Sequence, residues 1–425
     1  MGKATQGRQY TVVSGDNLSK IAKQAYGDPR KWRILWKANQ TTLRSSDPDR
    51  IYPGEVLYIP TDPDIAKIDA ELERPRSDEY IPGKEPDEIT FLLKGKELGL
   101  QSARIVRTMD TVTDGFAVEA YWDPTDTKLR DLIKPYGYDE VKIYLGGYLI
   151  LTGRVYIVSP TLSASGSSVA LEGFSPTADI ADSTIKPPLE VKKVTLKQRA
   201  EALLESAGLA SVFDADEGDQ FDRVTAGESE TIFDHLLSLA VQRKVLISST
   251  TRGELIFYQA QIGKSVGTIE EELPPYEALT AEFNGRERFS SYRIVGPTPK
   301  KKTGRNALEA IALDDKVPRS RFKTERVSDA TAGNIQQAAE WRRSKQLADA
   351  LTIDFPVSSW YAPNGSLWRE NTIVTVKSPT IFVETGFDFL IKRVEYIYDS
   401  RGTRVVLGLV PPQVYTGDPI EEPWK

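Results

Sequence analysis

Polar and apolar positions over the first 30 residues predict a strand followed by a helix. Residues 9–13, QYTVV, alternate in the manner of a short strand. The next four residues, SGDN at 14–17, combine turn formers with two helix-capping residue types. Apolar residues then recur at helical spacing over positions 18–25, until Gly-Asp-Pro at 27–29 ends the pattern.

A second helix and a closing strand are predicted before residue 60. The helix carries Trp32, Leu35, Trp36 and Asn39 at helical spacing. A polar stretch at 41–50 leads to a turn and to a strand at 55–60. The predicted unit, residues 8–60, therefore has the order β-α-α-β.

A linker is predicted at residues 61–88. This stretch is rich in Pro, Asp and Glu and carries few large apolar side chains. Such a composition favours an extended segment that cannot bury a core of its own.

The residue pattern of the next part of the chain is typical of a β-domain. Residues 89–185 contain short β-branched and aromatic runs separated by Gly, Pro and Asp, which predicts a first β-barrel domain. The segment SPTLSASGSS within it is typical of a hairpin tip.

A small α/β domain is predicted at residues 190–260. Apolar residues lie on one helical face at 195–208 and again at 229–243. Two strand-like runs, KVLISST and ELIFYQ, follow the second helix and are joined by a turn. Two helices on a small sheet account for this pattern.

Strand texture returns at residues 262–412, which predicts a second β-barrel domain. It is interrupted by an Ala-rich helix at 331–350 and followed by a Pro-rich tail at 413–425. The predicted fold class is therefore α+β and multidomain: a βααβ unit, then two β-barrel domains with a small α/β domain between them.

Composition and charge narrow the range of functions. The chain has 425 residues, 40% hydrophobic and 27% charged, which is typical of a globular protein of several domains. Its net charge is −6, whereas nucleic-acid binders present a basic surface, so no nucleic-acid partner is predicted. The first 25 residues lack the apolar core of a signal peptide, and no apolar run is long enough to span a bilayer. These features predict synthesis in the cytoplasm and no membrane anchor.

Candidate catalytic and metal chemistry is sparse. The chain has no cysteine, which removes thiol nucleophiles and thiolate metal sites, and only one histidine, His235. His235 is predicted to lie beside the apolar stripe of its helix, at the surface or in an interface. No GxSxG motif accompanies it, so no catalytic residue, metal ligand or cofactor is assigned.

Two charged segments are most simply interpreted as surface turns or loops. The acidic run at 214–219 carries Asp219 where an EF-hand loop needs glycine, so a solvated turn is favoured over a calcium site. The basic run KKKTGR at 300–305 is a surface loop, or else a contact for an acidic neighbouring subunit. Acidic pairs for a glycosidase exist anywhere in such a chain, but no muramidase pattern is found.

Residues 8–60 resemble the LysM family. The resemblance is carried by the opening YTVVSGDNLSKIA, the middle segment WRILWKAN and the closing IYPGEVLYIP, in the same order and spacing. It implies two adjacent loops that hold N-acetylglucosamine chains or dock a protein. The corresponding positions are Gly15, Asp16, Asn17, Leu18, Ile51, Tyr52 and Pro53. Protein docking or simple turn architecture is favoured over glycan binding, and Trp32 and Trp36 are favoured as core residues rather than as a sugar platform.

Residues 89–412 resemble the baseplate hub proteins of contractile phage tails, of the Mu tail-protein type. The segments that carry this likeness are AAEWRRSKQLADALTIDFPVSSW, SLWRENTIVTVKSP and VEYIYDSRGTRVVLGLVPP. The resemblance implies a homotrimer whose six similar barrels join a six-fold tail tube to a three-fold spike. Its implied partners are the tail tube protein, the central spike protein and other baseplate proteins, in the baseplate of a virion tail or tail-like particle.

Two functions from different classes stay open. One is a structural hub whose LysM module docks neighbouring baseplate subunits. The other is a peptidoglycan-binding or lytic cell-wall protein that uses LysM for targeting. The missing signal peptide favours the hub, because tails assemble in the cytoplasm.

Overall fold

The computed structural model divides the chain into two compact units, residues 1–78 and 79–425. The residues that it describes are 7–13, 16–26, 32–39, 43–44, 51–61, 79–164, 166–243, 245–260, 263–271, 279–296, 308–326 and 335–416. Among the helices in these ranges, none is both long and apolar enough to cross a bilayer.

The N-terminal unit has two short strands and two helices. They are β1 Gln9–Thr11, α1 Leu18–Tyr26, α2 Trp32–Asn39 and β2 Val56–Tyr58. The strands pair antiparallel, with Tyr10 opposite Leu57. Ile21, Leu35 and Leu57 are fully buried between them, because each helix turns its apolar face toward the strands.

The second unit, called the body here, is built on one large central sheet. Thirteen of the described strands belong to it. They are β3 Ile89–Leu93, β4 Lys96–Glu97, β5 Leu100–Thr108, β6 Gly115–Tyr121, β7 Glu140–Leu145, β8 Tyr148–Ser163, β9 Gly166–Phe174, β15 Thr268–Glu270, β16 Thr280–Phe283, β20 Leu351–Val357, β21 Ile373–Ser378, β22 Val383–Asp399 and β23 Gly402–Val410.

This sheet joins the two β-domains that the sequence predicts as separate. The hydrogen-bonded order is β16-β20-β23-β22-β5-β6-β9-β8-β7-β3-β4, with β15 and β21 branching from β22. The junction is the antiparallel pair β5–β22, in which Arg107 lies opposite Val394. One hydrophobic core also draws on both halves, from Phe91 to Leu409. The expected separation into two independent β-domains therefore differs from the structure, because β5 and β22 each have a free edge that the other completes.

Two short helices, α3 Thr127–Leu132 and α4 Asp179–Asp182, belong to the first half of the body. A small α/β lobe lies between the two halves in sequence. Its elements are β10 Glu190–Val194, α5 Leu196–Ala207, β11 Ser211–Asp214, β12 Phe221–Thr225, α6 Ile232–Val241, β13 Leu246–Ser249 and β14 Leu255–Tyr258. Thr195 caps α5 in a capping box, and Gly208 ends it in a left-handed conformation. Both signals are local, which is why the helix bounds follow closely from the sequence.

A second lobe, the insert lobe, lies between β16 and β20, and its described residues are 285–296, 308–326 and 335–350. It contains β17 Ser291–Val295, β18 Glu309–Leu313, β19 Phe322–Arg326 and α7 Ile335–Ala350. The sequence predicts strands in FSSYRIVG and FKTERV and a helix at 331–350, all as parts of the second β-barrel domain. The structure instead gives a three-stranded sheet of its own, order β18-β17-β19, with α7 packed on one face. A backbone hydrogen bond of 2.7 Å from Asn284 N–H to the Ala350 carbonyl closes the neck of the lobe.

Residues 79–88 are not a linker in the structure. Tyr80 forms a β-bridge with Tyr148, and the Ile81 N–H donates to the Gly147 carbonyl at 2.9 Å. The Glu79 carboxylate accepts from Lys142 Nζ at 2.8 Å and from the Tyr144 hydroxyl at 2.6 Å. Of the linker predicted at residues 61–88, residues 62–78 lie outside the described ranges, and residues 79–88 pack on the β7–β8 hairpin because their side chains and backbone find partners there.

The buried guanidinium of Arg107 ties the parts of the body together. From β5 it donates to the Glu370 carboxylate at 2.7 Å, to the Ile150 carbonyl on β8 at 2.9 Å and to the Ser249 carbonyl on β13 at 3.0 Å. A second carboxylate, Asp114, lies 3.3 Å away. Both halves of the central sheet and the α/β lobe thus share one cation.

Burial governs the protonation of this cluster. Burial alone would lower the pKa of Arg107, but the Glu370 and Asp114 carboxylates raise it above its ordinary value. Burial raises the pKa of Asp114 to about 6, and Arg107 only partly opposes that shift. Glu370 differs, because Arg107 lowers its pKa despite burial. Asp114 is therefore the member of the cluster that titrates near neutral pH.

Replacing Asp114 by Asn should change how stability depends on pH. A folded-state pKa above the unfolded value means that the native protein binds more protons between the two values, so this group favours the native state as pH falls from 7 to 5. The gain over that window is about 1 kcal/mol in the free energy of unfolding. Urea unfolding of wild type and Asp114→Asn at pH 7 and pH 5 measures it. An equal pH response in the two proteins would contradict the assignment.

Candidate functional site

The loop after β1 uses its polar side chains to shape itself. The Asp16 carboxylate accepts from the Tyr10 hydroxyl at 2.8 Å and from the Val13 N–H at 2.9 Å. The Asn17 side chain accepts from the Lys20 N–H at 2.8 Å, which caps α1. Burial and the Asp16 carboxylate both raise the pKa of Tyr10. Asp16 and Asn17 thus have structural partners in this loop.

The loop before β2 is held by a buried carboxylate. Glu55, only 6% exposed, accepts from the Tyr52 N–H at 2.6 Å and from the Arg44 N–H at 2.8 Å. The Glu55 N–H returns a bond to the Tyr52 carbonyl at 3.1 Å, so the turn is closed from both sides. Sequence reasoning did not single out Glu55. The only signal in the sequence is that a charged residue lies between Gly54 and the strand that begins at Val56.

The structure brings the two predicted loops together. The Gly54 N–H donates to the Val12 carbonyl and the Val12 N–H donates to the Glu55 carbonyl, both at 2.8 Å. Both loops therefore start from the same end of the β1–β2 pair. Of the predicted residues, Leu18 is buried in the core and Ile51 packs against it, while Tyr52 and Pro53 face solvent. Gly15 lies outside the described residues.

An exposed apolar strip borders these loops. Val13, Tyr52, Val56 and Tyr58 are each 38–46% exposed. Val56 and Tyr58 alternate with buried Leu57 along β2, so they share the outer face of the strand pair. Sequence reasoning missed Val13, Val56 and Tyr58, although the alternation was visible. The strip lies beside the exposed polar side chains Gln9 and Thr11 of β1, which pair with Tyr58 and Val56.

Asn39 is a structural residue that the sequence motif contains but does not explain. Its side-chain oxygen accepts from the Tyr58 N–H at 2.7 Å, and its side-chain nitrogen donates to the carbonyls of Tyr58 at 2.9 Å and Leu35 at 2.7 Å. Asn39 is 2% exposed. It therefore pairs with β2 as a neighbouring strand would, and ties α2 to the outer strip. Trp32 and Trp36 on the same helix are partly buried against the core.

His235 lies in the core, so the expected surface or interface position was wrong. It is 2% exposed, with Arg199 Nε–H 3.3 Å from its Nε2 and Glu230 Oε2 3.4 Å from its Nδ1. The reason is that the buried stripe of α6 runs through Ile232, His235, Leu236 and Leu239. That helical spacing was already present in the sequence.

The charged segments show local roles. In the acidic run, Asp216 accepts from the Gly218 N–H at 3.0 Å, and Glu217 accepts from the Thr195 hydroxyl at 3.1 Å. Across the described ranges, no group of three or more His, Cys, Asp or Glu side chains could hold a metal ion. The KKKTGR run lies outside those ranges.

Three family models match the chain. A LysM domain matches residues 10–60. The second domain of the gp44-like baseplate hub protein matches residues 177–259, and the fourth domain of the Mu phage baseplate assembly protein GpP matches residues 331–418. None of the three is a catalytic family.

Individual relatives agree with these models. The chain is 26% identical over 335 residues to the baseplate hub protein gp44 of Escherichia phage Mu, covering 74% of this chain and 84% of gp44. It is similar in structure to the 43 kDa tail protein of prophage MuSo2 from Shewanella oneidensis, with a TM-score of 0.67 and 25% identity over 77% of this chain and 99% of that one. Over 57 residues it is 51% identical to the potassium binding protein Kbp of Escherichia coli O6:H1, covering 13% of this chain and 37% of that protein. The chain carries an N-terminal LysM domain followed by domains of phage baseplate hub proteins.

Replacing Asn39 by Ala should loosen β2 more than removing a helix cap does. The change leaves the Tyr58 N–H and carbonyl without their partner, at a cost of roughly 2–4 kcal/mol. The control Asn17→Ala removes only the cap of α1, about 1 kcal/mol. Hydrogen–deuterium exchange of the full chain should show the Tyr58 amide exchanging much faster in Asn39→Ala than in Asn17→Ala. Full protection of that amide in Asn39→Ala would contradict the assigned pairing.

Proposed function

We propose that this protein is the structural hub of the baseplate in a contractile phage tail or a phage-like injection particle. The observation that carries the proposal is the likeness of the body to the MuSo2 tail protein over 99% of that protein's length. The identity to the Mu baseplate hub protein over most of both chains supports it. In this role the protein is a component of the virion tail baseplate, made and assembled in the bacterial cytoplasm.

The hub forms a homotrimeric ring between the tail tube protein and the central spike protein. A trimer whose chains each contribute two β-rich halves presents six related surfaces with three-fold symmetry, which suits both a six-fold tube and a three-fold spike. The continuous sheet across β5 and β22 supports this role, because it makes the two halves of each chain one rigid piece. Force transmitted through a baseplate needs such rigidity.

The LysM domain docks neighbouring baseplate subunits. The physical support is the character of its surface: Asp16 and Asn17 are occupied by internal hydrogen bonds, which leaves apolar side chains such as Tyr52 and Tyr58 facing solvent. Apolar strips with aromatic residues are typical of protein interfaces. The alternative, binding or targeting of peptidoglycan, is favoured only by the LysM match itself.

The mass of the purified protein tests the ring. We expect light scattering to give three times the chain mass of 47.4 kDa, either alone or after addition of the spike protein. A chain that begins at residue 79 should give a trimer as well, because the body carries the ring. A monomer under all of these conditions would overturn the trimeric hub.

Removal of residues 1–78 tests the role of LysM. We expect particles made with the shortened chain to lack complete baseplates in electron micrographs, while the body still forms its trimer. The intact protein should show little sedimentation with purified peptidoglycan. Complete baseplates from the shortened chain, together with strong sedimentation of the intact protein, would instead establish the targeting function.

A further inference from the structure

Two surfaces of the body carry exposed apolar side chains of a kind that monomers rarely leave open. The first, called the open face, is the side of the insert sheet that α7 does not cover. Leu313 and Phe322 lie on either side of Ser291, and Ile311 lies next to Arg293. Ile311, Leu313 and Phe322 are 46%, 57% and 69% exposed. The opposite side of the same sheet packs on Ile335 and Ala339 of α7.

The second surface, called the aromatic face, lies on β8, β9 and the segment before β7. The ring of Tyr156 lies 5.7 Å from that of Tyr138 and 6.0 Å from that of Phe174. Ile157 on β8 pairs with Glu172 on β9 and is half exposed. Tyr138 has a φ of +49°, a conformation that bulky residues rarely adopt, and it presents its ring to solvent. Strain of this kind is retained where a side chain must point outward for function.

The two faces have opposite charge. Residues 285–350, the insert lobe, contain fifteen Lys and Arg against eight Asp and Glu, in a chain whose net charge is −6. Arg326 at the end of β19 and Arg319 in the turn before it are exposed and form no ion pair with any other described residue. Residues 119–182 contain nine Asp and Glu against five Lys and Arg. Glu172 projects from β9 on the aromatic face and Glu119 from the adjacent strand β6, and within the described part of the chain neither forms an ion pair.

The faces also lie at different places in the central sheet. The insert lobe leaves the sheet between β16 and β20, at one end of the strand order. The aromatic face lies on β8 and β9, with β20, β23, β22, β5 and β6 between β16 and β9. The unpaired charges named above are basic at the open face and acidic at the aromatic face, so contact between unlike faces is favoured over contact between like faces. Two distinct complementary faces on one chain make a head-to-tail contact, which closes into a ring when the rotation is one third of a turn.

From these observations, and resting on the proposed trimeric hub, we propose that the open face of each chain packs against the aromatic face of the next chain. Ile311, Leu313 and Phe322 meet Tyr138, Ile157 and Phe174. Arg319 and Arg326 border that apolar contact opposite Glu119 and Glu172. This places the apolar residues at the centre of the contact and the charges at its rim, the usual arrangement of a protein interface.

Two surface variants of the full chain test the contact. Leu313→Asp with Phe322→Asp alters only the open face, and Tyr138→Asp with Ile157→Asp alters only the aromatic face. Each should be monomeric by native mass spectrometry at concentrations where the wild type is trimeric. Phe382→Asp is the control: Phe382 is 63% exposed and lies near Phe283, outside both faces, so this variant should stay trimeric. Circular dichroism and thermal unfolding of each monomer show whether it is folded.

Mixing the two variants distinguishes a head-to-tail contact from any other. Each variant keeps one intact face, so the mixture should form a heterodimer and stop there, since the altered faces cannot close the ring. Trimers or larger species in the mixture, or an absence of any complex, would overturn the proposed pairing of faces.

Charge reversal gives a second measurement that does not depend on the apolar residues. Glu172→Arg and Arg326→Glu should each weaken trimer formation by roughly 3–10-fold, and the double variant should recover most of that loss. Equal losses that add in the double variant would show that the two side chains do not meet. If all surface variants stay trimeric, this contact is wrong while the trimeric hub stands; if the wild type is monomeric under every condition, the hub itself is wrong.

Discussion

The body depends on a single buried cation. From β5, Arg107 places its guanidinium where β8, β13 and the loop carrying Glu370 converge, and each of these three contributes an acceptor to it. A buried charge without partners costs several kcal/mol, so a shift of any one element that left a donor unpaired would be strongly unfavourable. The orientation of the α/β lobe relative to both halves of the sheet is thereby restricted. The ring role proposed for this chain would require such rigidity, since a flexible joint would let the contact surfaces vary.

The continuous sheet extends the same constraint along the molecule. β22 pairs with β23 on one side and with β5 on the other, so the two β-rich halves have no independent edges at their junction. Fully buried side chains from both halves, such as Phe91 and Phe389, belong to one core. The insert lobe and the aromatic face are then attached to a single frame, and their relative position follows from it. Because these surfaces are already ordered, contact with a neighbouring copy would lose little conformational entropy.

In the LysM domain, the polar motif residues and the exposed apolar residues have different roles. Its polar motif residues serve the fold: Asp16 closes a turn, Asn17 caps a helix, and Asn39 and Glu55 satisfy backbone groups of the strand region. Tyr52, Val56 and Tyr58 face solvent beside polar side chains such as Gln9 and Thr11. A surface of that kind accepts a protein edge, and its chemistry is consistent with the docking role proposed for it.

Local signals in the sequence determined the helices, because their caps and periodicity involve neighbours in the chain. The capping box at Thr195, the glycine at 208 and the turn formers around residues 14–17 mark helix ends without reference to the rest of the molecule. The order of the LysM segments, the absence of thiols and the basic run at 300–305 could likewise be read directly. The spacing of the buried residues on α6 indicates that His235 lies in the core. The surface position expected for a lone histidine did not take that spacing into account.

Only the tertiary structure decided how distant segments pair. β5 pairs with β22, residues 79–88 dock on β7 and β8, and Arg107 meets Asp114 and Glu370. These contacts join positions up to about 290 residues apart. The pattern of apolar residues along a strand does not show which other strand its edge will pair with. The same limit applies to the candidate site: Asp16 and Tyr52 were both identifiable, yet which of them faces a partner depends on the hydrogen bonds that fold the loops. A sequence pattern indicates whether each residue prefers to be buried. Which residues it contacts depends on the positions of distant segments, and only long-range packing sets those positions.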